Sequence, residues 1–293
     1  MAFIGMYKKQ YGVELICRVL EIAPSTYYAA VVRPPSVRAL NDVLLKEAIQ
    51  EIWTKNRCVY GIEKIWASLR RAGWDVARCT VERLMHDLGI SGIVRGRGPK
   101  TTVADEHAAR PDDLVKRSFT ADAPNRLWVA DITYVKTHSG WVYVAFIIDV
   151  FSRNVVGWQA SRSLRTDLAL DALNMALWQR GRPSLAGLVH HSDRGVQYTA
   201  LRYTERLEGS GVDRSVGSRG DSYDNALAES FNGLYKTELV HKDGPWHGLE
   251  DVEFATMEYV NWFTNERLHS SLGMVSPATF EAQHANLTAQ QTA

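Results

Sequence analysis

The residues of this 293-residue sequence that suggest chemistry are acids standing where acids are disfavoured. Asp131 interrupts Leu127-Trp128-Val129-Ala130-Asp131-Ile132-Thr133-Tyr134-Val135, a strand-like run in which propensity and burial both argue against Asp. Asp193 follows the apolar stretch Leu188-Val189-His190-His191-Ser192 and precedes a turn at Arg194-Gly195, the sort of strand end that presents ligand groups. Glu229 falls on a predicted helix from Tyr223 to Leu239. There Asn225, Glu229, Asn232 and Lys236 make one polar stripe facing a cleft, with Leu227, Phe231 and Leu234 on the opposite, packing side. Hard divalent cations take oxygen ligands, and two or three carboxylates gathered from distant sequence suffice for Mg²⁺. Cutting and joining phosphodiesters uses two such ions about 4 Å apart, one at the attacking and one at the leaving oxygen. Lys236, two turns beyond Glu229, is placed to contact a phosphate there.

Each acid also has a bland role: Asp131 paired with a buried base, Asp193 shaping a turn, Glu229 as one more surface charge. Asp149, Glu205, Asp221 and Asp224 could replace any of them in a triad drawn from composition alone. The intervals separate the sets, with 61 residues between Asp131 and Asp193 and 35 between Asp193 and Glu229.

These acids need elements to hold them. After Pro124, strand-like runs at Leu127–Val135, Trp141–Val150 and Asn154–Ala160, with His138-Ser139-Gly140 as a turn, predict an antiparallel meander. A helix at Thr166–Arg180, a short strand at Gly187–His191, a helix near Tyr198–Glu208 and a fifth strand at Val212–Val216 follow. The fold class is therefore α/β, a mixed five-stranded sheet with flanking helices. Residues 1–90 read as a small helical region resembling a helix-turn-helix, with helices at Val13–Leu20, Leu40–Trp53, Ile62–Arg71 and Thr80–Leu88. Thr80 is the expected N-cap of the last, which offers Arg78, Arg83 and His86 on its outer side as a groove-reading helix would. A solvated helical bundle is the equal alternative. Residues 91–121, rich in Gly, Pro, Arg and Lys and including Arg95 and Arg97, read as a basic linker that either tracks phosphates or touches nothing. Residues 122–280 form the main unit, its Trp246–Phe263 helix packing on the core or serving a multimer. The polar tail 281–293 is expected to fray.

Composition fits a folded chain of two or three compact units, with 45% hydrophobic residues. The formal net charge of +1 hides an asymmetry: residues 1–120 carry 19 Lys/Arg against 13 Asp/Glu, and residues 121–293 carry 15 against 20. The front half suits a polyanion. The longest apolar run, Trp141 to Ile148, is too short to cross a bilayer, so no membrane partner and a cytoplasmic location are expected. Cys17, Cys58 and Cys79 are widely spaced, which indicates neither a disulfide framework nor a Cys-based zinc site.

The motifs resemble the catalytic core shared by retroviral integrases and a large group of bacterial insertion-sequence transposases, with their Asp, Asp-35-Glu spacing. The blocks are Trp128-Val129-Ala130-Asp131-Ile132-Thr133-Tyr134, His191-Ser192-Asp193-Arg194-Gly195-Val196-Gln197-Tyr198, Tyr223-Asp224-Asn225-Ala226 with Glu229-Ser230-Phe231-Asn232, and Lys236-Thr237-Glu238. The closing Asn265-Glu266-Arg267-Leu268-His269-Ser270-Ser271-Leu272 with Ser276-Pro277 belongs to the same set. The likeness runs to about Phe280 and is nearest the second-frame product of two-frame insertion sequences, whose upstream-frame product adds another helix-turn-helix by frameshift fusion. No His/Cys zinc module precedes the core, as one does in retroviral integrases. Ala130, Asn232 and Tyr235 depart from the usual pattern and are expected not to touch the triad.

The resemblance implies a ribonuclease H-like core over roughly 122–225, with Asp131 on the first strand, Asp193 after the fourth and Glu229 on the helix closing the site. It implies a DNA transposase that nicks and joins strands with two Mg²⁺ (or Mn²⁺) held by Asp131, Asp193 and Glu229. Lys236 and Asn225 would position terminal phosphates, and the front helices, with Arg78, Arg83, Arg95 and Arg97, would bind the element ends. A homo-oligomer on DNA, associated with the nucleoid, is expected because two ends must be joined. The rival readings are a DNA-binding regulator with a dead core, a nuclease that only hydrolyses, and a recombinase using Tyr198 or Tyr223 as nucleophile.

Overall fold

The structure, a computed structural model, describes residues 1–94, 121–181, 185–192, 196–216 and 226–292. Helices α1 (Ala2–Tyr11), α2 (Val13–Val19) and α3 (Pro24–Val32) close on a small apolar cluster of Ile4, Ile16, Cys17 and Tyr27. Helices α4 (Val37–Lys55), α5 (Ile62–Arg71) and α6 (Arg78–Asp87) make a larger unit. Leu45 and Ile49, Ile65 and Leu69, and Val81 with Leu84 and Met85 recur at three- and four-residue steps and are buried together. Ser36 starts α4 by accepting the Ala39 N–H at 3.2 Å. Thr80 does not cap α6: the helix begins at Arg78 with Ala77 in the cap position, so Thr80 lies inside its first turn. Trp66 Nε1 donates to the Val76 carbonyl at 2.8 Å and fixes the segment that leads in.

The first residues of the expected linker fold back on this unit. Trp53 Nε1 donates to the Ser91 carbonyl at 3.1 Å and Ile93 N–H to the Val59 carbonyl at 3.2 Å. Gly92 lies so close to Gly61 that a Cβ on it would fall 2.5 Å from the Gly61 Cα. Arg95, Arg97 and most of the linker lie outside the described residues.

The second half is built on a five-stranded sheet of order β3-β2-β1-β4-β5. Strands β1 (Leu127–Thr137), β2 (Gly140–Asp149) and β3 (Val155–Ser161) form the antiparallel meander. Helix α7 (Thr166–Arg180) follows, then β4 (Val189–Ser192), the short α8 (Val196–Thr199), α9 (Leu201–Glu208) and β5 (Asp213–Val216). β4 runs parallel to both β1 and β5. Alternation along the strands divides the core. Trp128 and Ala130 with Ala145 and Ile147 face α7, while Val129 and Val135 with Val144, Phe146 and Ile148 face the other way. α7 sits close on β3 because Gly157 meets Ala172 and Ala176; a Cβ at Gly157 would lie 2.2 Å from the Ala172 carbonyl oxygen.

The opposite face is covered by α10 (Ala226–Tyr235), which continues as a π-helical turn, Lys236–Val240, into the short α11 (His241–Asp243), and by α12 (Leu249–Asn265). Phe146 packs edge-on against Phe231 at 4.8 Å and Tyr235 at 5.0 Å, and Phe231 against Phe263 at 4.9 Å. The polar segment after Phe280 is helical, in α13 (Pro277–Thr292). Glu281 anchors it, accepting from Arg180 at 2.6 and 2.7 Å and from Ser152 Oγ at 2.6 Å, whereas the side chains of 285–291 are exposed.

The two halves share one apolar cluster, in which Ile49, Tyr60 and Ile65 of the front unit join Tyr259, Trp262 and Phe263, and a buried polar network of the second half lies beside it. Arg267 donates to both Glu238 oxygens at 2.9 and 2.5 Å, and Tyr259 Oη donates to the same carboxylate at 3.0 Å. From the front unit, Tyr60 Oη accepts the Leu268 N–H at 2.7 Å and Asn56 Oδ1 accepts Trp262 Nε1 at 3.3 Å. Burial works against the Arg267 charge, but the hydrogen bonds and field of Glu238 hold its pKa above the usual value. No single helix among the described residues is long and apolar enough to cross a membrane; only α2 with α3, bent by 118°, pass together by length and composition.

Candidate active site

Asp131 shares the strand parity of Val129 and so faces α10 rather than α7. Its carboxylate is oriented at both oxygens: Oδ1 accepts the Ile132 N–H at 2.8 Å and Oδ2 accepts from Asn232 Nδ2 at 2.9 Å. Asn232 belongs to α10, three residues after Glu229, so the two share a helix face with Cβ atoms about 5–6 Å apart. The helix that carries Glu229 is thus tied side chain to side chain to Asp131. Glu229 itself is exposed, whereas Asn232 is only 8% exposed. The departure at Asn232 was expected to leave the triad untouched; the structure corrects this, because its amide binds one of the three acids directly. Tyr235 is buried and hydrogen-bonded to Thr256 Oγ1 at 2.7 Å, away from Asp131.

Asp193 lies outside the described residues, as do Asn225, Asp221, Asp224 and Tyr223. Ser192, the residue before it in sequence, ends β4 and pairs with Ala130, the residue before Asp131. The two histidines ahead of it are core residues. His190 Nε2 lies 3.0 Å from Tyr203 Oη and His191 Nδ1 lies 3.0 Å from Ser215 Oγ. Burial, reinforced by the neighbouring His191, pushes His190 down to about 3, so its imidazole is neutral where it meets Tyr203.

Asp149 drops out as a competitor. It is fully buried at the end of β2 and accepts N–H groups from Asn125, Phe151 and Ser152 at 2.7, 3.0 and 3.1 Å, which makes it the organiser of a turn. Tyr198 is also buried, packed edge-on against Tyr203 at 5.4 Å, and presents no nucleophile at the surface. Lys236 begins the π-helical turn and holds its ammonium 4.3 Å from the centre of the Tyr134 ring. Such turns recur at functional sites because the extra residue re-aims a side chain. On α6, Arg83 is engaged bidentately by Asp42 at 2.8 and 3.0 Å, and Arg78 by Glu63 with Glu82 at 3.5 Å. The Arg83 hydrogen bonds in turn hold Asp42 below the ordinary carboxylate range.

Among the described residues no group of three or more His, Cys, Asp or Glu is gathered to hold a metal ion. The donors that are described still fit a hard cation, being carboxylate oxygens. A further sign is Asn232 Oδ1, which is buried and has no hydrogen-bond partner among the described residues. Such an atom calls for a donor such as the water that Mg²⁺ retains. Nothing in composition could have marked Asn232 as Asp131's partner, though its place on the polar stripe was visible.

Sequence comparison decides the family. The family model described as "Integrase core domain" matches residues 121–222, a second of that description matches 210–277, and one described as "HTH-like domain" matches 39–98. The chain is 51% identical over 268 residues to a putative transposase for insertion sequence element IS986/IS6110 of Mycobacterium tuberculosis, covering 90% of this chain and 96% of that one. This chain belongs to the insertion-sequence transposases. Another relative, the transposase for IS629 of Shigella sonnei, is 49% identical over 96% of this chain and 95% of its own length. Among solved structures, the HTLV-2 integrase catalytic core domain in complex with magnesium aligns with 55% of this transposase and 99% of its own chain, at 16% identity and a TM-score of 0.43. By its family models and relatives, the transposase combines a helix-turn-helix-like region with an integrase core, and its function is DNA transposition and integration by a polynucleotidyl transferase.

Proposed function

We propose that Asp131, Asp193 and Glu229 form the catalytic centre and hold two Mg²⁺ (or Mn²⁺) for nicking at the element end and for strand transfer. The observation that carries this reading is the 2.9 Å hydrogen bond from Asn232 to Asp131, which draws the Glu229 helix onto the strand bearing the first acid. When bound, the ions supply charge stabilisation at the attacking and leaving oxygens of an in-line displacement. The chain's own part is positioning. Asn232 fixes the plane of the Asp131 carboxylate, Glu229 stands exposed at the edge of the same helix, and Lys236 with Asn225 meets terminal phosphates. In the first step a phosphodiester P–O bond breaks and water supplies the new P–O bond, leaving a free 3′-hydroxyl. In the second, that hydroxyl attacks another phosphodiester and a DNA 3′-oxygen leaves. No covalent link to the protein is required.

Arg78, Arg83, Arg95 and Arg97 would add phosphate contacts, the first two by exchanging their present acidic partners for DNA. An assembly of two or more copies on paired ends, an upstream-frame partner, and residence on the nucleoid follow from the same reading. The test is purified protein with Mg²⁺ and DNA carrying the element end. Nicked and joined products are expected, and Asp193→Ala should abolish both while leaving DNA binding near wild type. Joining that survives in Asp193→Ala would remove Asp193 from the centre, and products that are cut but never joined would reduce the enzyme to a nuclease.

A further inference from the structure

At the far end of the β1–β2 hairpin, Tyr134, Lys136 and Trp141 face Lys236, His241 and Pro245 across an open cavity of about 390 Å³. Both rings of the aromatic pair are exposed, 56% for Tyr134 and 50% for Trp141. Their rings meet edge to face at 5.4 Å, an arrangement in which at most one ring covers a face of the other. Hairpin stability alone is served by burying such a pair, not by leaving both half in water.

The lysines beside the pair have no acidic partner among the described residues. Among the described residues Lys136, Lys236 and His241 form no ion pair with a carboxylate, and the neighbouring Asp243 is already taken by Arg57 at 2.9 Å and Lys242 at 2.7 Å. Cations alone would suit the outside of a duplex, whose bases are stacked out of reach. Lys236 already covers one face of the Tyr134 ring at 4.3 Å, and cations beside exposed rings, Trp141 foremost, suit an unpaired nucleotide, with phosphates on the lysines and the base on the rings. Lys236 lies seven residues beyond Glu229, about 10 Å along the helix, a distance of a few nucleotides of strand.

We propose that this cavity stacks an unpaired base of the DNA strand beside the cutting site, with Trp141 and Tyr134 as the platform and Lys136, Lys236 and His241 on the flanking phosphates. The placement beside the cut rests on the triad assigned above; the stacking itself does not.

The experiment is equilibrium binding of the full chain in EDTA, comparing a blunt duplex with the same duplex carrying a short single-stranded tail that contains 2-aminopurine. The tailed DNA should bind tighter and its fluorescence should be quenched on binding. Trp141→Ala and Tyr134→Ala should each weaken the tailed complex by roughly 5- to 100-fold, leave the blunt complex unchanged and lose the quenching, and Trp141→Phe should recover most of the affinity. Equal affinity of the wild type for the two DNAs, or equal weakening of both complexes in the alanine variants, overturns the cavity. A protein that binds the tail in this way yet never nicks when Mg²⁺ is added would sink the catalytic assignment and leave the stacking site standing.

Discussion

The carboxylate of Asp131 is held at both oxygens by hydrogen bonds from the chain itself, one from its own backbone neighbour and one from Asn232. As the metal ligand proposed above, a carboxylate so oriented would lose little entropy on binding, and partners of this kind commonly change metal affinity or activity by about 10- to 100-fold when removed. Asn232→Ala is therefore expected to raise the Mg²⁺ concentration needed for half-maximal nicking about tenfold or more while end binding stays within about twofold. An unchanged metal titration would reduce Asn232 to packing. Proton linkage is a second matter of single residues. His269 is pushed down to about 2 by burial, with the Arg267 charge adding to it, and Arg267 Nη1 lies 3.3 Å from its Nδ1. The unfolded imidazole takes a proton near pH 6.5 and the folded one does not, so the unfolded state binds more protons below that pH. Stability should thus fall as pH drops from about 6.5 toward the folded value, by up to about 1.4 kcal/mol per pH unit for each such histidine. His190 acts in the same direction. Urea midpoints measured at about pH 7 and about pH 5 should show the loss, and His269→Gln should flatten it.

At the level of elements, the seating of α7 on β3 depends on the absence of one side chain. Gly157→Ala would drive a methyl into the Ala172 carbonyl, a backbone atom that moves only with its helix. A cost of about 1–3 kcal/mol is expected, read as a lower Tm with the strand content unchanged by circular dichroism. Elements with a strong periodic pattern and a clear stop were legible in the sequence. Thr166–Arg180 and Ile62–Arg71 match α7 and α5 at both ends, with Gly181 and Gly73 marking the stops. Other features depend on contacts that spacing does not encode. α6 starts without a capping side chain, so Thr80 drew attention that belonged to Ala77. The tail carries no apolar stripe, and α13 gains its hold from its first two turns: Phe280 and His284 pack on Phe151 at 5.0 and 4.8 Å, and Glu281 pairs with Arg180. The π-helical turn at Lys236 left no mark in the pattern, since an inserted residue does not alter which positions are apolar. Of the candidate site, the strand that carries Asp131 and the helix that carries Glu229 were readable, but neither Asn232's partner nor the aromatic cavity was, because both arise where distant strands and helices meet.

For the molecule as a whole, the front helices and the core share one apolar cluster, with the Tyr60 and Trp262 rings 6.2 Å apart, and a buried ion pair of the core lies beside that joint. Arg267 and Glu238 are 5% and 8% exposed at their side chains, so removing one strands the other in a poor solvent. Arg267→Ala is expected to cost about 3–5 kcal/mol, whereas replacing both members with apolar residues of similar volume should cost far less. Chemical unfolding of the two variants checks the difference, and equal losses would show that the ion pair itself is not the sensitive element. Tyr60 and Asn56 extend the joint into the helix-turn-helix-like region, which therefore does not hang on a flexible tether at this point. On the function proposed above, with the front helices on the element end and the acids held in the same frame, the enzyme would act as a ruler: the number of base pairs between the sequence it reads and the bond it breaks would be set by protein geometry. Spacing then becomes a form of specificity that needs no contact with the intervening bases, and a correctly spelled end in the wrong phase would be held but left uncut.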